Sequence, residues 1–241
     1  MERDTRKLIM LLWIGLLTTA GLTLGAPLSA NAQNPPDDEV ERRLTFIGER
    51  LNAHQLHTEI WQGVWTGING GTGVILALSA SRTNSSDDRI AFATQSVLAF
   101  IGLGDQYLIR PIPGLNGVGP ISKLPDTTPE QRKEKLAKAE AMLRASADRE
   151  AERTDWPYHL GNAALNSVAG VVIGLFGKTE DGIIAGASGF LGGIVYAFSE
   201  PWGRQQDWRD YQRFSNGLPY AKSSRWSVAV NGGVLSLRYQ F

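Results

Sequence analysis

Residues 160–199 read LGNAALNSVAGVVIGLFGKTEDGIIAGASGFLGGIVYAFS, and the fold turns on how this stretch is read. Two uncharged apolar runs, 160–177 and 182–199, flank one short charged turn, Lys178-Thr179-Glu180-Asp181. Gly170, Gly174 and Gly177 mark the first run, and Gly182, Gly186, Gly189 and Gly193 the second. Steps of three and four put most of these glycines near one face of a helix. Glycine is a poor helix former in water. It is useful where two helices must approach closely, as in a membrane. The stretch therefore predicts a tight, membrane-embedded helical hairpin, with these seven glycines as its helix-packing residues. The file Gly182, Gly186, Gly189 and Gly193 is expected to pack on run 160–177 of the same chain, because the four-residue turn brings the two helices side by side. The remaining faces stay open to a second subunit.

Working outward, the chain after Pro201 turns polar. A short helix is expected near 203–214, then a loop through Asn216-Gly217 and Pro219. The last residues alternate, with Trp226, Val228 and Val230 on one face, a turn at Asn231-Gly232-Gly233, and Leu235, Leu237, Tyr239 and Phe241 sharing a face. This pattern predicts a short C-terminal β-hairpin with a three-residue turn. A terminal aromatic on such a strand looks like the last strand of outer-membrane β-barrels, but the body of the chain lacks the alternating segments of a barrel.

Upstream, Thr128-Pro129-Glu130-Gln131 is a capping box with proline at the first helical position. The helix it starts runs to about Asp155, rich in Ala, Glu, Lys and Arg, with a thin apolar stripe of Leu136, Ala139, Leu143 and Ala147. Before it, Pro111, Pro113, Gly114, Gly117, Gly119 and Pro120 make a loop or linker. Earlier still, Val40, Leu44, Ile47 and Leu51 recur at helical steps, starting near Asp37 or Asp38, and the stripe continues toward Ile60, Trp61, Val64, Trp65 and Ile68. Residues 60–81 carry no charge, though Gln62, Thr66, Asn69 and Thr72 make this run only weakly hydrophobic. After the polar turn 82–89, residues 90–104 resume the apolar pattern. Fifteen residues are short for a bilayer span unless the helix continues through Asp105 to about Ile109.

The two halves repeat one order of features: charged helix, glycine-bearing apolar run, polar turn, second apolar run, proline. Asn69 with Gly73 matches Asn166 with Gly170 at an offset of 97. The expected fold is mainly α, with glycine-rich helical hairpins forming a small bundle. The expected units are a signal peptide at 1–32, a flexible N-terminus at 33–38, a first hairpin unit at 39–111, and a Pro/Gly linker at 112–127. A charged helix with the second hairpin follows at 128–201, and a polar segment with the β-hairpin tail at 202–241.

The signal assignment rests on Arg3, Arg6 and Lys7, the apolar run 8–25, and Ala30-Asn31-Ala32 before Gln33. It implies export to a bacterial cell envelope. An uncleaved anchor is the alternative.

The chain holds 24 basic and 24 acidic residues and no cysteine. That excludes a strongly basic nucleic-acid surface, a disulfide framework and thiolate chemistry. Glycine is about 11% of the chain, 27 of 241, against a usual ~7%. No serine-hydrolase, zinc-protease or phosphate-loop motif occurs. His54 and His57 lie three apart on one helix, but Glu59 points elsewhere and no third ligand is evident, so no metal site, catalytic residue or cofactor is assigned. Asp105, beside an apolar run, is the strongest polar candidate, and His57 and His159 are interface candidates. The sequence thus reads as a non-enzymatic envelope membrane protein of structural, scaffold or assembly type, with membrane lipid and an oligomer or envelope subunit as partners. A soluble exported binding module with a glycine-rich core, and an enzyme of unknown reaction, are the alternatives.

Overall fold

The computed structural model describes residues 37–220 with side chains and residues 225–231 and 234–240 by backbone. The expected signal peptide and its cleavage site lie outside the described residues. The described chain is mainly helical. Its elements are α1 (Asp37–Arg82), α2 (Ser86–Gly104) continued by a π-helical turn (Asp105–Ile109), α3 (Gly119–Ser122), α4 (Pro129–Thr154), α5 (Trp156–Phe176), α6 (Thr179–Ser199) and α7 (Arg204–Ser215). The backbone of β1 (Arg225–Asn231) pairs antiparallel with β2 (Val234–Gln240), in a register that sets Trp226 opposite Tyr239 and Asn231 opposite Val234. Asn231 is thus a strand residue rather than the first residue of a three-residue turn.

The helices sort into two layers along the chain's long first helix. The N-terminal part of α1 packs with α4 and α7 in a polar-faced cap. Its core is Val40, Phe46, Ile47, Leu51, Ile121, Leu136, Ala139, Leu143 and Tyr211. The thin stripe of α4 joins this core through Leu136, Ala139 and Leu143. Thr128 caps α4 reciprocally with Gln131, at 3.3 Å and 3.2 Å. The 112–127 segment is no spacer: Ile112 and Ile121 are buried, and Asn52 accepts a 2.9 Å hydrogen bond from the Val118 N–H.

The C-terminal part of α1 forms one antiparallel hairpin with α2, and α5 forms a second with α6. Helix α1 runs unbroken through 46 residues. Ser85 caps α2 by accepting from Asp88 N–H at 3.2 Å. The second turn is shorter than 178–181, since Thr179 already begins α6. The two turns adjoin, with Lys178 Nζ 3.2 Å from Asp88 Oδ1. Pro157 opens α5 in its first turn, where a missing N–H costs nothing.

Helices α5 and α6 meet backbone to backbone. A Cβ on Gly182 would lie 2.6 Å from Gly174 N and against the carbonyl oxygen of Gly170. One on Gly170 would lie 2.7 Å from Gly182 O. Gly186 is looser, 3.4 Å from Asn166 O, and Gly189 and Gly193 sit against the side chains of Asn166 and Asn162. A Cβ on Gly174 would make ordinary contact at 3.7 Å, and one on Gly177 would lie 3.2 Å from the Asp87 carbonyl oxygen, on the start of α2. The glycine file of α6 is therefore filled by α5 of the same chain.

Gly182→Ala should destabilise the protein by about 1–3 kcal/mol through overpacking, against a propensity gain of about 1 kcal/mol or less. Gly63, which has open space around it, should become up to about 1 kcal/mol more stable as Ala. Thermal unfolding followed by circular dichroism separates them, and equal responses would refute the backbone contact.

Candidate functional site

The buried stripe of α4 does not end with its apolar residues. Leu136, Ala139, Leu143 and Ala147 hand over to Glu150 and Arg153 on the same face, both buried. Here the last turns of α4 meet the end of α6, the start of α7 and the middle of α1. Glu200, 3% exposed, lies at the centre. Arg149 grips it through Nε at 2.9 Å and Nη2 at 3.1 Å. Arg153 Nη1 and Arg204 Nη1 approach it at 3.8 Å and 3.6 Å. Three guanidiniums thus share one carboxylate. Burial, the largest influence, pulls the Arg153 guanidinium below its usual range and brings Arg204 down to about 10.

Glu150 is committed elsewhere. Its carboxylate accepts from the backbone N–H groups of Gly203, Arg204 and Gln205 at 3.2, 2.5 and 3.1 Å. These are the orphan donors at the start of α7, so a side chain from α4 caps another helix. The turn into α7 needs φ +103° at Gly203, a conformation only glycine adopts readily. Beneath it, Arg204 Nη2 donates to Thr58 Oγ1 at 2.6 Å. Asp207 accepts or shares a proton with His54 Nε2 at 2.7 Å and faces Arg50 at 3.3 Å, while Asp210 lies 3.7 Å from Arg50.

Asp105 stands at this junction, in the π-helical turn that ends α2. Arg110 holds it at 2.7 Å. It lines an open cleft of about 280 Å³ with Arg110, Arg149, Arg153, Tyr158 and Tyr196. His57 is exposed on α1, and His159 stacks on Phe198 at 5.6 Å. Neither lines that cleft. Among the described residues no three His, Cys, Asp or Glu side chains gather as a metal site.

Sequence reasoning missed Arg149, Glu150, Arg153, Glu200 and Arg204. The available signal was the helical step from Ala147 to Glu150 and Arg153. It also missed Asn162 and Asn166, which stand four apart in the α5 run. Asn162 Nδ2 donates to the Phe190 carbonyl at 3.1 Å, and Asn166 Nδ2 donates to Asn162 Oδ1 at 2.8 Å.

Outside the junction the surface is unusual. All but two of the large hydrophobic side chains that stand exposed among the described residues fall in 56–109 or 156–202; the exceptions are Leu218 and Tyr220. None lies in the cap segments 37–55 and 110–155. Two stretches, Trp156–Phe176 and Thr179–Ser215, each contain an 18-residue window apolar and long enough to cross a membrane, in the latter the part that forms α6, and 17% of each window is buried within the molecule.

No family model, curated protein or solved structure matches the chain.

Glu200→Gln removes a buried charge that Arg149, Arg153 and Arg204 share. Breaking a buried pair in this way costs about 3–5 kcal/mol. Arg144→Gln breaks only an exposed pair with Asp148 at 3.6 Å and should stay within about 0.5 kcal/mol. Denaturant unfolding of the two variants measures the difference.

Proposed function

We propose that the chain is a non-enzymatic membrane protein of the bacterial cell envelope, with four helical segments in the bilayer and the cap at one face. The reading rests on the distribution of exposed apolar side chains. A monomeric soluble protein rarely exposes apolar patches beyond a few hundred Å², whereas these helices carry Leu175 at 72%, Ile183 at 68% and Ile75 at 64% exposure. The charge-free lengths fit as well. At about 1.5 Å per residue, the 21 residues of α5 extend about 32 Å, against a hydrocarbon core of ~30 Å.

Helix α1 supports the same reading. Ile60, Val64, Ile68 and Leu78 are exposed, while Gln62 is buried and Asn69 lies against Gly102. Gln62, Thr66 and Asn69 meet neighbouring helical segments, the arrangement a lipid-facing helix requires. The end of α2 reaches sufficient length through its π-helical turn, where Leu108 and Ile109 stand exposed at 83% and 67%.

The junction supports the structural, scaffold or assembly reading. Its charged groups are engaged with one another, so the cap is a firm platform at the membrane face for a partner subunit of the envelope.

Carbonate washing of membranes tests insertion: the chain should remain in the pellet, and clean release as a monodisperse species would overturn it. Topology is tested separately, because the chain has no native cysteine. Export puts the cap outside and both turns in the cytoplasm. Ser122→Cys should then react with an impermeant maleimide in intact cells, and Asn84→Cys only after lysis. The reverse pattern would overturn export.

A further inference from the structure

We propose that the two-stranded sheet β1–β2 is a second membrane-binding element, which lays its apolar face on the anionic phospholipid surface of the bilayer that holds the helices. The proposal rests on the membrane reading above and adds a docking surface and a lipid class to it. The register sets the faces, because directly paired positions of an antiparallel ladder lie on the same side of the sheet. Trp226 pairs with Tyr239, Val228 with Leu237 and Val230 with Leu235, so every position of one face is apolar. The other face includes Arg225 paired with Gln240 and Ser227 paired with Arg238. A slip of one residue would mix the two sets. Among the described residues the sheet has these two strands, and no helix is layered on it. A two-stranded hairpin is marginally stable alone in water, so its apolar face needs a cover.

Charge selects the cover. Residues 211–241 hold Arg213, Lys222, Arg225 and Arg238 and no Asp or Glu. A second copy of the sheet would set these like charges against one another, whereas an anionic bilayer complements them. Basic residues beside an apolar face are the combination that binds such a surface, and each basic residue gains from the negative surface potential. Trp226 and Tyr239, paired near the end of the ladder away from the turn, are residue types that favour the headgroup level. The sheet also starts within reach of that level. Tyr220 packs on Phe46 with ring centroids 5.4 Å apart, and Leu56 is the first large apolar side chain exposed on α1. The helix between Phe46 and Leu56 rises about 15 Å. The chain from Tyr220 to Arg225 extends to about 17 Å, enough to bring the sheet down to the membrane face.

The test uses the absence of cysteine from the chain. Val228→Cys on the apolar face and Ser227→Cys on the polar face are each labelled with a nitrobenzoxadiazole dye in the full chain. Each is reconstituted in dioleoyl phosphatidylcholine vesicles, with and without dioleoyl phosphatidylglycerol, and quenched by chain-brominated lipid or by aqueous iodide. In the vesicles with phosphatidylglycerol, brominated lipid should quench the Val228 label at least about twofold more than the Ser227 label. The difference should shrink by at least about twofold in pure phosphatidylcholine, and likewise when Arg225→Gln and Arg238→Gln are combined, which together weaken surface attraction by roughly thirtyfold. Equal quenching of the two labels, or a difference unchanged by either treatment, would overturn the proposal. So would a Val228 label shielded from both quenchers, which assigns the face to protein: a second copy if unlabelled Val228→Cys cross-links into dimers, the same chain if it does not. A chain that fails to float with the vesicles refutes the membrane reading and this proposal together. Flotation without the quenching difference refutes the proposal alone.

Discussion

Glu200 is the constraint about which the two layers of the molecule are joined. It closes the apolar helix α6, and its partners come from α4 and α7. A buried carboxylate is costly unless its counter-charges are in place. Arg149 grips it with two nitrogens of a planar fork, which sets the rotation of α4 as well as its distance. Arg153 and Arg204 approach the same group from two further directions. The end of α6, the last turns of α4 and the first turn of α7 are thereby fixed relative to one another. Glu150 adds direction, since capping α7 with a side chain of α4 requires that α7 start at that point. Glu150 and Glu200 together place two buried carboxylates among Arg149, Arg153 and Arg204.

Much of the helical body was legible in the sequence because it depends on spacing. The glycine steps in 160–199, the capping box at Thr128 and the apolar stripe through Val40, Ile47 and Leu51 each follow from local geometry, and helices α1, α4, α5 and α6 stand where those patterns place them. What failed to show depends on distant pairs. Glu200 and Arg149 are 51 residues apart, and His54 and Asp207 are 153 apart. Each alone looks like an ordinary solvated charge. Residues 112–127 show another limit of local pattern. Proline and glycine do end the helix there, but Ile112 and Ile121 still enter the protein interior, so a break in regular structure is not a break in packing. Asp105 was legible as a residue of interest, whereas its ion pair with Arg110 was not.

The weak hydropathy of 60–81 has a structural reason. An average over a helix counts its inner and outer faces together. In α1 the inner face carries Gln62 and Asn69, the outer face Ile60, Val64 and Ile68. Buried apolar residues among the paired helices are correspondingly few and small: Ala91, Ile173 and Ala185 form the only hydrophobic cluster described there. The cap has the opposite arrangement, with Ile47, Phe46 and Leu143 inside and charged residues outside. One chain thus follows both rules, and the change between them falls at the charged junction.

The paired helices also show what small residues do besides permitting close approach. A helix carbonyl is normally screened by the side chains around it. Where the neighbouring helix comes near, a polar side chain can reach that carbonyl as a second acceptor site. Ser96 Oγ donates to Gly73 O at 2.8 Å, Gln106 Nε2 to Gln62 O at 2.9 Å, and Asn162 Nδ2 to Phe190 O at 3.1 Å. Each bond joins different helices, and each satisfies a side chain that would be costly to bury alone. Glycine lies at or beside these contacts: Gly73 supplies one acceptor, and Gly193 lies against Asn162, the donor of another. The polar residues that lower the hydropathy of the runs and the glycines that lower their helix propensity therefore serve one purpose. They exchange local helix stability for specific contact between helices.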